Sequence, residues 1–323
     1  MVDAGTPTLL HVPRVLVTRR LPPGGLDPLA GHEIVQREDD VPYSSDELAE
    51  ALAHVDAVVC TLTDRIGEHE LSKAAGLKVV ANVAVGYDNI DLAAAASRHI
   101  VVCNTPGILD ETTADLAFAL ILAATRRLGE AEKDLRAGRW SGWSLGDHLG
   151  RDVHGATLGL VGFGRIAQAV ARRAEGFAMK VLHYARHPTG AAGYVQDLDE
   201  LLAASDIVSL HVPLTPETHH LIDARRLSLM KPTAVLVNTA RGAVVDEVAL
   251  ARALGEGQIY AAGIDVYENE PRVSPELLAA PNAVLLPHVG SASVETRTAM
   301  ARMATSDVAR VLAGLGPEHP VPL

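Results

Sequence analysis

Apolar runs of four or five residues alternate along this chain with stretches whose apolar positions recur at helical spacing. Short apolar runs bounded by turn residues predict strands, and the 3.6-residue period predicts helices. Strands are expected at Arg14–Thr18, Ala57–Thr61, Lys78–Asn82 and Val101–Asn104, with an amphipathic helix at Ser45–Ala53. A longer helix is expected at Thr112–Arg127, with Asp110 as its N-cap and Ala117, Leu120, Ile121 and Ala124 on one face. Further strands are expected at Thr157–Val161, Lys180–Tyr184, Ile207–Val212, Val235–Asn238, Ala262–Val266 and Val284–Leu286. Ser293–Ala313 then reads as one long amphipathic helix returning to the first part of the chain. Strand and helix alternating in this way imply α/β architecture with parallel sheets. The expected division is 1–106 plus 289–323 as one discontinuous domain and 107–288 as the other. The first dozen residues, with Pro7 nearby and Pro13 just beyond, read as a loose arm.

One turn carries chemistry. The run Thr157-Leu-Gly-Leu-Val-Gly162-Phe-Gly164-Arg-Ile-Ala167 ends a strand in two glycines and opens a helix. That is the first turn of a dinucleotide-binding unit. Gly162 permits the tight turn, Gly164 lets backbone approach a pyrophosphate, and Ala167 keeps the helix close to the sheet. The helix N-terminus offers free N–H groups to the anion. After the next strand an NAD site normally carries an acid for the ribose 2′-OH. Here Ala185 stands there and Arg186 follows. A guanidinium suits a 2′-phosphate, so NADP is the favoured cofactor, with NAD left open.

Composition narrows the classes. The chain has 323 residues, enough for about two domains, with 48% hydrophobic and 21% charged residues. A net charge of −12 argues against a nucleic-acid surface. Two cysteines, Cys60 and Cys103, supply no disulfide framework and no metal-ligand spacing. They fit a reducing, cytoplasmic setting. The longest apolar stretch is too short to span a bilayer, and no signal-like segment opens the chain.

Three residues stand just past strand ends in the second half. They are Arg241 after Leu236-Val-Asn-Thr-Ala, Glu270 before Pro271, and His288 after Pro287. Ligands in open α/β sheets gather at the carboxyl ends of strands, so the three can converge. Together they suit reduction of a 2-keto acid. Arg241 can bind the carboxylate and polarise the keto oxygen. His288 can protonate that oxygen as hydride arrives. Glu270 can hold the imidazole and favour its charged form.

These residues sit in motifs that resemble the D-isomer-specific 2-hydroxyacid dehydrogenases, with the glyoxylate/hydroxypyruvate reductases as the most similar branch. The motifs are Ala81-Asn-Val-Ala-Val-Gly-Tyr-Asp-Asn-Ile-Asp91, Thr113-Ala-Asp-Leu-Ala-Phe-Ala-Leu120, Gly162-Phe-Gly-Arg-Ile-Ala167, Val212-Pro-Leu-Thr-Pro-Glu-Thr218, Asn238-Thr-Ala-Arg-Gly242, Gly263-Ile-Asp-Val266 and Pro287-His-Val-Gly-Ser-Ala292. The resemblance spans about Leu52 to Gly314. It implies two Rossmann/flavodoxin-like doubly wound parallel-sheet domains with a cleft between them, usually in a homodimer. Arg241, Glu270 and His288 match the catalytic arginine, glutamate and histidine. Val85 and Gly86 match the turn whose N–H groups hold the substrate carboxylate. Thr113, Arg165 and Ile166 match positions on the cofactor phosphates, and Val212, Pro213 and Thr218 match the adenosine side. Ala240 and Asp265 match the nicotinamide side, with Asp265 placed for the carboxamide. Gly290 lies in the loop carrying the histidine.

Among branches, a phosphoglycerate dehydrogenase would call for basic residues where Cys60-Thr-Leu-Thr-Asp64 stands, and only Arg65 follows. Formate dehydrogenases carry glutamine in place of Glu270. Leu62 can wall a small substrate, which favours glyoxylate and hydroxypyruvate. Arg139-Trp140-Ser-Gly-Trp143 resembles a segment that either reaches the partner's site or packs in the dimer core. A nucleotide-sensing corepressor-like binding protein is the alternative outside enzymes.

Overall fold

The computed structural model describes residues 12–37, 39–280 and 282–322, so all but the last residue or so of the expected N-terminal arm lies outside the described residues. The chain divides into two compact units, Met1–Leu109 with Ser293–Leu323, and Asp110–Ala292. These boundaries correct the expected breaks after 106 and 288. The physical reason is local: each break falls where a helix begins, at Asp110 and at the N-cap Ser293.

The first unit runs β1 (Arg14–Val17), β2 (Glu33–Gln36), α1 (Ser45–Leu52), β3 (Ala57–Cys60), α2 (Glu68–Leu71), β4 (Val79–Asn82), α3 (Leu92–Ser97) and β5 (Val101–Cys103). Its sheet is parallel, in the order β2-β1-β3-β4-β5. The valine-rich β3 and β4 are buried along their whole length, as strands covered on both faces must be. β2 carries only half-buried or exposed positions, so no apolar run announced it. A capping box opens α1: Ser44 accepts from the Glu47 N–H and the Glu47 carboxylate accepts from the Ser44 N–H.

The second unit runs α4 (Asp110–Thr125), α5 (Leu128–Arg136), β6 (Thr157–Val161), α6 (Arg165–Glu175), β7 (Lys180–Tyr184), α7 (Leu198–Ala204), β8 (Ile207–Leu210), α8 (Ala224–Leu229), β9 (Val235–Asn238), α9 (Glu247–Gly255), β10 (Ala261–Ile264), α10 (Pro275–Ala279) and β11 (Ala283–Leu285). Its six strands are parallel in the order β11-β10-β9-β8-β6-β7. The order reverses between β6 and β8, the switch point where a doubly wound sheet opens a crevice. α11 (Val294–Leu312) then completes the first unit.

Some expected edges move. Asp110 lies inside the first turn of α4 instead of capping it, and its carboxylate accepts from Arg165 Nε at 2.8 Å. The helix expected to reach Arg127 ends at Thr125, because Arg127 turns left-handed (φ 54°) before α5 starts. β8 and β10 stop before Val212 and Val266, since the ladder ends while the apolar pattern continues. No helix among the described residues is long and apolar enough to cross a membrane. Both cysteines are free and buried.

Candidate active site

At the β6–α6 turn Gly162 adopts φ +91° and its N–H donates to the Tyr184 carbonyl at 2.9 Å. A Cβ there would lie 2.5 Å from the His211 carbonyl oxygen, so the turn passes against the end of β8 too tightly for a side chain. Gly164 caps α6, and a Cβ at that position would meet nothing within 4 Å. The backbone at the N-cap of this eleven-residue helix is therefore open to approach on that side, as pyrophosphate binding at a helix N-terminus requires. Ala167 is fully buried against the sheet. Arg165 is mostly exposed and Thr113 buried, while Ile166 is half-buried.

Among the residues expected at the adenosine, the Thr218 hydroxyl donates to the Pro213 carbonyl at 2.6 Å and accepts from the Thr215 N–H at 2.8 Å. Thr218 thus closes the turn that follows Val212. Arg186 is exposed beyond β7. Its charge is one of the influences holding the Glu217 carboxyl below its ordinary range, after the hydrogen bond from Thr215 and a backbone N–H. Arg186 thus lies within electrostatic reach of Glu217 in that turn.

The three catalytic candidates lie in this same unit. His288 Nδ1 meets Glu270 Oε2 at 2.9 Å, and Glu270 Oε1 accepts from the Tyr267 N–H at 3.0 Å. Both oxygens of Glu270 are occupied, which fixes the ring and leaves Nε2 as the outward nitrogen. Burial alone would raise the Glu270 carboxyl. The hydrogen bond and charge of His288, the Tyr267 N–H and the charge of Arg241 outweigh it and hold the group below its ordinary range. Arg241 therefore sits within electrostatic reach of the pair.

Two residues the sequence did not single out hold Arg241. Buried Asn238 donates from Nδ2 to the Arg241 carbonyl at 2.9 Å and accepts from the Ala240 N–H at 3.0 Å. Gly242 packs face to face on the Tyr267–Glu268 peptide, where a Cβ would come within 1.8 Å of the Tyr267 carbonyl carbon. The arginine loop and the glutamate loop thus touch backbone to backbone. The sequence signal for Gly242 was its place in Arg-Gly, which alone says only that a turn is near.

Asp265 works on the histidine loop. Its two carboxylate oxygens accept from the Val289 and Gly290 N–H groups, each at 2.8 Å, and its carbonyl accepts from the His288 N–H at 2.9 Å. Burial pushes the Asp265 carboxyl up, against the pull of those donors and of His288. A Cβ on Gly290 would lie 3.6 Å from the Thr113 side chain, so Thr113, Asp265 and Gly290 share one corner. His288 itself takes a left-handed backbone (φ 54°), and this three-point anchor holds it there.

Leu62, Val85 and Gly86 lie in the first unit, past the ends of β3 and β4. Their loops are joined by Asn89, whose Nδ2 donates to the carbonyls of Thr61 (3.2 Å) and Asp64 (2.9 Å). Buried Asp64 accepts from the hydroxyls of Thr18 and Thr61. Its carboxylate is spent on holding this loop.

With this geometry in view, comparison with known proteins is specific. Residues 118–290 match the family described as D-isomer specific 2-hydroxyacid dehydrogenase, NAD binding domain. A glyoxylate reductase of Thermococcus litoralis is 47% identical over 307 residues, covering 92% of each chain. A solved protein of Thermus thermophilus superposes with a TM-score of 0.91 at 46% identity, covering 96% of this chain and all of that one. The NADPH-dependent glyoxylate/hydroxypyruvate reductase of Sinorhizobium meliloti, solved with NADP and malonate, gives a TM-score of 0.84 at 37% identity, covering 96% and 97%.

Proposed function

Since the chain belongs to the D-isomer-specific 2-hydroxyacid dehydrogenases, we propose that this nicotinamide-dependent oxidoreductase reduces small 2-keto acids, glyoxylate to glycolate and hydroxypyruvate to D-glycerate, with NADPH preferred. The observation that carries the reading is the His288–Glu270 pair at 2.9 Å beside Arg241.

The residues present fit the cofactor. Gly162, Gly164 and the first turn of α6 would take the pyrophosphate, with Thr113, Arg165 and Ile166 beside it. Val212, Pro213 and Thr218 would line the adenosine, Arg186 its 2′-phosphate, and Ala240 and Asp265 the nicotinamide. When bound, the cofactor supplies a hydride. The chain's own residues do the rest. Arg241 pairs with the substrate carboxylate and draws electron density toward the keto oxygen. His288 carries a proton on Nε2 to that same oxygen, and Glu270 stabilises the imidazolium that carries it. Val85 and Gly86 receive the carboxylate on the first unit, with Leu62 as an apolar wall.

The cofactor preference has its own test. Arg186→Ala should weaken NADPH binding by about tenfold or more, the usual scale for a lost charge-assisted hydrogen bond, and leave NADH nearly unchanged. Fluorescence titration of both cofactors reads this. Equal losses, or none, would remove Arg186 from the 2′-phosphate site. The same preparation assayed with glyoxylate, hydroxypyruvate and bulkier keto acids tests the substrate class. Cofactor binding without any turnover would mark a binding protein instead.

A homodimer belongs to the same proposal. Trp143 is 81% exposed and Trp140 60% exposed on one chain, with Leu145 and Leu149 exposed beside them. Exposed apolar side chains gathered in one short segment point to an interface, and a second copy of this chain is the occupant proposed. Light scattering should give twice the chain mass, and Trp143→Asp should shift the protein toward the monomer. A monomeric wild type would refute the assignment.

A further inference from the structure

The loop after β4 takes up its own carbonyls in an unusual way. The Ala84 carbonyl accepts from the Thr105 N–H at 2.9 Å. The Val85 carbonyl accepts from Asn104 Nδ2 at 2.8 Å. The Gly86 carbonyl accepts from Asn82 Nδ2, also at 2.8 Å. Three consecutive carbonyls thus turn toward donors at the ends of β4 and β5. An extended strand would alternate them from side to side.

A trans peptide is planar, so the N–H of the next residue points opposite its carbonyl. The N–H groups of Val85, Gly86 and Tyr87 therefore all face away from the strand ends. None of the three donates to a protein group among the described residues. Successive N–H groups facing one way form a concave seat for an anion. A carboxylate has two oxygens and several lone pairs, enough for three donors.

We propose that Asn82 and Asn104 are positioning residues that rotate the Val85–Tyr87 peptides and so build a three-donor seat for the substrate carboxylate, with the Tyr87 N–H as its third donor. This rests on the functional reading above and deepens it. Asn82 is fully buried; its Nδ2 also reaches Asn89 Oδ1 at 3.0 Å, which ties the seat to the Leu62 loop. Asn104 is half-buried and holds the middle carbonyl. Neither side chain need touch the substrate. Each acts by denying a carbonyl the freedom to swing outward, where it would repel the anion.

The test is steady-state kinetics of Asn104→Asp on the full chain, with the 2-keto acid the wild type reduces best. The aspartate is nearly isosteric, cannot donate as a carboxylate, and repels the Val85 carbonyl. KM for the keto acid should rise by about 10–100-fold, the range for losing hydrogen bonds to a charged group. The loss should fall on KM more than on kcat, and NADPH affinity by fluorescence titration should match the wild type. A merely structural defect would lower kcat or thermal stability without a selective rise in KM. Asn104→Ala is read by the same criteria if the aspartate variant does not fold. An unchanged KM, or a loss carried by kcat alone, overturns the seat. A wild type inactive on every 2-keto acid overturns the functional reading, and the seat falls with it. An active wild type matched by both variants overturns only the seat.

Discussion

Replacing His288 by alanine is expected to lower kcat for 2-keto acid reduction by about 10²–10⁴-fold, the usual worth of a positioned general acid. The cofactor should still bind, because the glycine turn and α6 are separate elements from the histidine loop. The size of the effect follows from the anchoring. The ring is held on Nδ1 by Glu270, and its backbone by Asp265. Nε2 is thus presented in one orientation rather than sampled among several. Steady-state rates with glyoxylate, alongside a cofactor titration, measure both halves. A His288→Ala enzyme with wild-type kcat would show that the proton comes from elsewhere.

Gly242→Ala carries the second large effect, and it is steric. The added methyl would lie 1.8 Å from the Tyr267 carbonyl carbon, 2.0 Å from its oxygen and 2.4 Å from the Glu268 nitrogen. All three are backbone atoms, so no side chain can swing aside. Either the arginine loop or the glutamate loop must move. We expect a loss of roughly 3 kcal/mol or more in stability, at the upper end for overpacking. Activity should fall further than stability, since Arg241 and Glu270 would separate. Gly164→Ala is the control: open space surrounds its Cβ, so chemical denaturation should return a near-wild-type midpoint. Equal midpoints for the two variants would contradict the packing described.

Much of this was legible in the chain. The apolar runs of strands β3, β4, β8 and β9 are local patterns, and so is the glycine turn, whose meaning is set by the strand before it and the helix after it. Candidate catalytic residues could be picked because polar groups just past strand ends stand out against apolar runs. What stayed hidden depends on partners distant in sequence. Asp110 looks like an N-cap locally, yet its carboxylate meets Arg165 fifty-five residues later. Gly242 looks like an ordinary turn glycine until the Tyr267 peptide lies against it. Asn82, Asn104 and Asn238 are single polar residues at strand ends; only the folded loops show which carbonyl each one takes. Asp265 was expected on the carboxamide side, and its oxygens are also the anchor of the histidine loop. Edge strand β2 carries too little apolar signal to be seen at all.

The most direct measurement follows a deuterium label. NADPH deuterated at the transferable position of its nicotinamide is incubated with glyoxylate and either wild type or His288→Ala, and the product is read by mass spectrometry. Singly deuterated glycolate is expected from the wild type and almost none from the variant, although the variant should hold the cofactor. Unlabelled glycolate, no glycolate, or equal label from both proteins would contradict it.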